Sequence, residues 1–146
     1  ARFDYPAPRI ALGEFLLDVA SAAMDVSDGL LADLAKLTAA SGIGATLAIE
    51  SLPLSNELLA VKGLDEARRL ALTGGDDYEL LFTMPPARWE EWQRIWAERS
   101  AADQSLAITP IGRIDEHQGL RVTLAGKPIE RAALGIERSG WDHFKA

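Results

Sequence analysis

The stretch Met24-Asp25-Val26-Ser27-Asp28-Gly29-Leu30-Leu31-Ala32-Asp33-Leu34 constrains the fold more than any other part of the chain. Ser21 to Met24 is short and apolar and reads as a strand. Leu30, Leu31, Leu34 and Leu37 then recur at the spacing of one helix face, which predicts a helix from Ser27 to Ser41. The chain must therefore turn a tight corner, with Asp25 at the end of the strand and Asp28 in the first helical turn. Two carboxylates this close repel each other unless a cation or hydrogen-bond donors lie between them. Mg²⁺ would relieve the repulsion through hard oxygen ligands, and the Ser27 hydroxyl beside free helix N–H groups suits a phosphate. The competing reading is a capped helix, with Asp25 as N-cap and Asp28 at the third helical position. Gly29 favours the first reading, because a glycine inside a helical turn implies a close approach to the backbone.

The remaining pattern is mixed. Pro6 and Pro8 keep the opening extended, and Ile10, Leu12, Phe15, Leu16 and Val19 predict an amphipathic helix from Arg9 to about Ala20. Gly42 closes the Ser27–Ser41 helix. Ala45 to Ile49 alternates as a strand, Pro53 breaks it, and two short helices follow over 56–61 and 65–72. Tyr78 to Thr83 is the clearest strand, with Tyr78, Leu80 and Phe82 alternating onto a core face. Pro85-Pro86 opens a helix through Trp89, Trp92, Ile95 and Trp96 to about Arg99, the tryptophans at packing spacing. Strands over 106–114 and 120–129 complete the chain, the latter with a hairpin near Ala125-Gly126-Lys127. Strand pairs interleaved with helices argue an α+β fold, helices packed on a mixed sheet.

A second acidic turn precedes the clearest strand: Gly74-Gly75-Asp76-Asp77-Tyr78-Glu79. Asp and Gly are favoured turn residues on conformational grounds. Two adjacent acids exceed what a turn needs, so Asp76 or Asp77 could bind a cationic or hydrogen-bonding substrate group, or a metal. His117 sits in a polar loop and reads as solvated, His143 as structural. No histidine pairs with a nucleophile in a hydrolase pattern, so no catalytic side chain is assigned. Trp141, beside Gly140 in a terminal loop, could stack on a flat cationic ring. Arg121, Lys127 and Arg131 are scattered and read as solubilising.

Composition narrows the function classes. Fifteen basic against 22 acidic residues give a net charge of −7, which disfavours a nucleic-acid binder. Phosphate-bearing small molecules stay open, because Mg²⁺ can bring the missing positive charge. With no cysteine, disulfides and thiolate chemistry are excluded, as in a reducing, cytoplasmic setting. No apolar run approaches the roughly 20 residues of a membrane span. The 146 residues suffice for a single domain, and residues 1–8, which begin with Ala rather than Met, read as a linker from a longer protein.

Three segments together resemble the thiamine-monophosphate kinase family: Met24 to Leu34, Gly74 to Thr83, and Gly140-Trp141-Asp142-His143-Phe144. Pro6-Ala7-Pro8-Arg9 followed by Gly13 is similar to that family's linker into its second domain. The resemblance places the chain in the aminoimidazole ribonucleotide synthetase superfamily. It implies a C-terminal domain spanning 1–146, whose ATP-binding N-terminal domain is absent. It further implies transfer of the ATP γ-phosphoryl group to thiamine monophosphate by a homodimer, with an inactive isolated domain. By position, Asp25 and Asp28 match magnesium ligands, Ser27 an ATP contact, Asp76 an acidic substrate-binding position and Trp141 an aromatic contacting thiamine. The family often has Glu at the position of Asp76. Two other readings remain at this point: a same-superfamily ATP-dependent enzyme with another acceptor, and a non-catalytic binding or scaffold domain.

Overall fold

The computed structural model describes residues 5–99 and 106–136. Trp141 and His143 lie outside them. Among the described residues are five α-helices: α1 (Ile10–Leu16), α2 (Leu30–Ser41), α3 (Asn56–Lys62), α4 (Leu64–Thr73) and α5 (Pro86–Arg99). Six strands accompany them: β1 (Ala22–Asp25), β2 (Gly44–Ala48), β3 (Leu80–Thr83), β4 (Gly112–Asp115), β5 (Gly119–Leu124) and β6 (Lys127–Pro128). The architecture is α+β, as the interleaved pattern indicates. One sheet runs β4-β2-β5-β6, mixed because β2 pairs antiparallel with β4 and parallel with β5. The other is the antiparallel pair β1-β3.

Two apolar clusters hold these layers. The larger packs Leu31, Leu34 and Leu37 of α2 against Ala45 and Leu47 of β2, Val122 of β5 and Leu72 of α4. The smaller joins Leu12 and Leu16 of α1 to Trp92 of α5, with Phe15, Leu80, Phe82, Trp89 and Trp96 around them. The tryptophan spacing is thus a packing pattern, with the Trp92 and Trp96 rings stacked 5.9 Å apart and 1° from parallel. β1-β3 lies between the clusters: Met24 and Leu81 face the larger, Leu80 and Phe82 the smaller.

Several boundaries differ from the sequence expectation, each for a local reason. α1 ends at Leu16 rather than Ala20, and Asp18 adopts the left-handed region at φ 65°. β3 starts at Leu80 rather than Tyr78, because Tyr78 has φ 51° and is turned into solvent at 43% exposure. Tyr78 therefore does not share the core face of Leu80 and Phe82. Only the end of the expected 106–114 strand joins a ladder, as β4. Ala125 and Gly126, at φ 51° and 74°, form the expected hairpin turn between β5 and β6, both in the region such turns require. Arg121 is more than solubilising, donating to Thr46 Oγ1, the His117 carbonyl and Asp115 across the β2, β4 and β5 strands. Among the described residues no helix is long and apolar enough to cross a membrane.

Candidate functional site

Asp25 is the last residue of β1, and the next four residues form an irregular corner before α2. The helix starts at Leu30, not Ser27, because Gly29 has φ 106° and cannot continue a right-handed helix. Asp28 thus precedes the helix. The capped-helix reading is corrected at the same point: the cap residue is Gly29, with no side-chain hydrogen bond. The side chain that organises the corner is Asp33, one turn into α2. Its Oδ2 accepts from both the Ser27 and the Asp28 N–H at 2.9 Å. Those two donors are therefore committed to the protein rather than available to a phosphate.

Asp33 is fully buried, an expensive place for a carboxylate unless its oxygens are satisfied. Lys36 supplies the rest, donating from Nζ to Asp33 Oδ1 at 2.8 Å and also to Asp28 Oδ2. Burial alone pushes the Asp33 carboxyl up. The hydrogen bonds from Lys36, Asp28 and Ser27, with the Lys36 charge, outweigh it and hold the group below the ordinary 3.8.

The corner and the Gly74 turn meet backbone to backbone. Beyond the β1-β3 ladder, where Asp25 faces Leu80, pairing continues through Val26 N–H to the Glu79 carbonyl at 2.8 Å. It then runs through Tyr78 N–H to the Val26 carbonyl and Asp76 N–H to the Ser27 carbonyl, each 2.9 Å. The glycines make this possible: a Cβ on Gly75 would lie 2.6 Å from the Ser27 carbonyl oxygen, and one on Gly29 2.8 Å from that of Thr73. The close approach that Gly29 signals is therefore that of the second motif's backbone.

The turn is itself conformationally unusual. Asp76 and Tyr78 both lie at positive φ, 62° and 51°, which costs non-glycine residues and gathers at functional sites. The Tyr78 hydroxyl donates to Asp76 Oδ1 at 3.0 Å. That bond first, then the Asp76 charge, partial burial and the Asp25 charge, raise the Tyr78 hydroxyl above its ordinary value, so it stays protonated as a donor. Acids from both motifs thus act on one hydroxyl. Below them, Arg9 grips Glu79 with two parallel bonds of 2.9 Å, tying the start of α1 to the turn.

The fold therefore brings Asp25, Ser27, Asp28 and Asp76 to one edge. Asp33, Lys36, Arg9 and Tyr78 were not singled out from sequence. Asp33 carried a signal, a carboxylate three residues after Leu30 and four before Leu37 on the helix's apolar face. A hollow of about 350 Å³ elsewhere, lined by Thr38, Gly42, Gln118 and Arg131 among others, contains none of these residues.

No family profile matches the chain. Individual relatives do. It is 37% identical over 95% of its length to the thiamine-monophosphate kinase of Salmonella typhimurium, and 38% identical over 96% to that of Haemophilus influenzae. Over nearly its whole length the chain is similar to thiamine-monophosphate kinases. It spans about 40% of the length of these curated relatives. Among solved structures, the thiamine-monophosphate kinase of Stenotrophomonas maltophilia superposes with TM-score 0.72 at 45% identity, over 80% of this chain and 35% of that one. AaThiL complexed with AMPPCP and TMP superposes equally, TM-score 0.72 at 37% identity, over 98% and 40%. Escherichia coli HypE, a hydrogenase maturation protein, shares the aminoimidazole ribonucleotide synthetase-like fold with TM-score 0.63 at 21% identity, over 82% and 38%.

Proposed function

We propose that this chain is the C-terminal domain of a thiamine-monophosphate kinase that converts thiamine monophosphate and ATP to thiamine diphosphate and ADP. The observation that carries this reading is the main-chain junction of the Asp25–Asp28 corner with the Gly74–Glu79 turn. It joins Ser27 to Asp76 through the main chain, next to Asp25 and Asp28, the positions that would serve nucleotide, substrate and metal. The full protein's N-terminal domain, absent from these 146 residues, completes the ATP site, and the full-length enzyme works as a cytoplasmic homodimer.

The donor set suits Mg²⁺. Asp25 and Asp28 offer hard carboxylate oxygens, and among the described residues no larger cluster of His, Cys, Asp and Glu forms a protein-only cage. Mg²⁺ is commonly held in this way, by one or two carboxylates plus water and substrate phosphates. When bound, it neutralises charge between two polyanions. Ser27 donates its hydroxyl to a nucleotide phosphate, while Asp76, oriented by Tyr78, faces the thiamine cation. An oxygen of the acceptor monophosphate attacks the γ-phosphorus, and the bond to the β,γ-bridging oxygen breaks as ADP leaves. That acceptor is already largely dianionic at neutral pH, with a second pKa of about 6. It needs no general base, consistent with the lack of an assigned catalytic side chain.

The test is turnover of the full-length protein with ATP, Mg²⁺ and thiamine monophosphate. Thiamine diphosphate is the expected product, and Asp25→Asn should lower kcat/KM by about a hundredfold or more. Unchanged turnover in that variant would overturn the metal assignment. Turnover only with another phosphate acceptor would overturn the substrate.

A further inference from the structure

Lys36 is a cation bonded directly to the corner, and its two bonds are unequal in kind. One goes to Asp33 Oδ1, on a carboxylate with no exposed surface whose other oxygen already clamps the Ser27 and Asp28 N–H groups. The other goes to Asp28 Oδ2, on a partly exposed carboxylate proposed above as a metal ligand. Breaking the first strands a buried charge, which is costly. Breaking the second exposes a carboxylate to solvent or a ligand, which is cheap. Lys36 is itself 52% exposed, so its ammonium can rotate away from Asp28 while still held by Asp33.

We propose that Lys36, anchored on buried Asp33, is a resident counter-ion for Asp28 that releases this carboxylate when a divalent cation binds the corner. The inference rests on the metal reading of Asp25 and Asp28 given above. Lys36 is a positioning residue here. It holds Asp28 in place against the repulsion of Asp25 while the corner is empty of metal, and it lowers the fraction of protein ready to bind the ion. Apparent affinity falls by that fraction. Removing the ammonium should therefore tighten metal binding, although a positioning contact is lost.

The experiment is calorimetric titration of Mg²⁺ into the full-length protein without nucleotide, comparing the parent with Lys36→Met, Lys36→Arg and Asp25→Asn. Lys36→Met leaves buried Asp33 one donor short and lowers stability, whereas Lys36→Arg keeps a cation there, so thermal melting checks that each variant is folded at the titration temperature. The expected result is a Kd about threefold to tenfold lower in Lys36→Met and near the parent value in Lys36→Arg, with binding lost in Asp25→Asn. In parallel, ammonium NMR of the parent should show Mg²⁺ shifting the Lys36 Nζ resonance as its bond to Asp28 breaks. Metal binding that Asp25→Asn abolishes but Lys36→Met leaves unchanged, or weakens, would overturn the counter-ion role alone. Metal binding that Asp25→Asn leaves intact would overturn the metal reading, and the proposal with it.

Discussion

Asp33 shows how much one side chain can set. It is the buried charge beneath the corner, and three donors converge on it. Asp33→Ala would leave the Ser27 and Asp28 N–H groups and Lys36 without their acceptor, and should cost about 3 kcal/mol of stability by thermal or denaturant unfolding. Its carboxyl is lowered in the fold, so its contribution is complete above the ordinary 3.8 and disappears as pH falls through the lowered folded value. The parent's unfolding free energy should accordingly drop on acidification below about pH 4, and this part of the drop should be missing in Asp33→Ala. Equal acid sensitivity of the two proteins would contradict the assignment. At this scale the sequence was partly legible. Asp25, Ser27, Asp28 and Asp76 stand out by chemistry and spacing. Lys36 does not, and Asp33 shows only as a carboxylate on an apolar helix face, because their roles depend on which way the corner folds back over the helix.

At the scale of elements, the junction between corner and turn depends on missing side chains. Gly75→Ala would drive a Cβ to 2.6 Å from the Ser27 carbonyl oxygen, so one backbone must move. A destabilisation of about 1–3 kcal/mol is expected, together with weaker binding of thiamine monophosphate to the full-length protein. Gly13 in α1 provides a control of opposite sign. Its Cβ would meet nothing closer than Leu80 Cδ1 at 4.0 Å, and Gly13→Ala should stabilise by about 0.5–1 kcal/mol. Loss of stability at Gly13, or none at Gly75, would show that the packing here is misread. Element types were legible from periodicity because the apolar faces of α2 and α5 repeat cleanly. Boundaries were less so: Asp18, Gly29 and Tyr78 end or delay elements through positive φ, which composition does not announce for Asp or Tyr.

For the whole molecule, the candidate site lies along one edge of a two-core α+β body. The proposed phosphate site then needs a second wall. The 146-residue chain alone, assayed with ATP, Mg²⁺ and thiamine monophosphate, should form no thiamine diphosphate above background, while the full-length protein does. Brisk turnover by the chain alone would contradict the two-domain reading. The overall class could be read from the alternation of strand and helix patterns. The parallel pairing of β2 with β5 could not, since their 70-residue separation leaves no local signal of which strands become neighbours.

The corner and the turn are joined by main-chain bonds, so the frame that carries the chemistry makes few demands on what projects from it. Such a frame can be refitted: outward-facing acids and aromatics can be exchanged for other recognition groups without redrawing the path of the chain. Two chains only 21% identical share this fold, so the path of the backbone survives wide exchange of side chains.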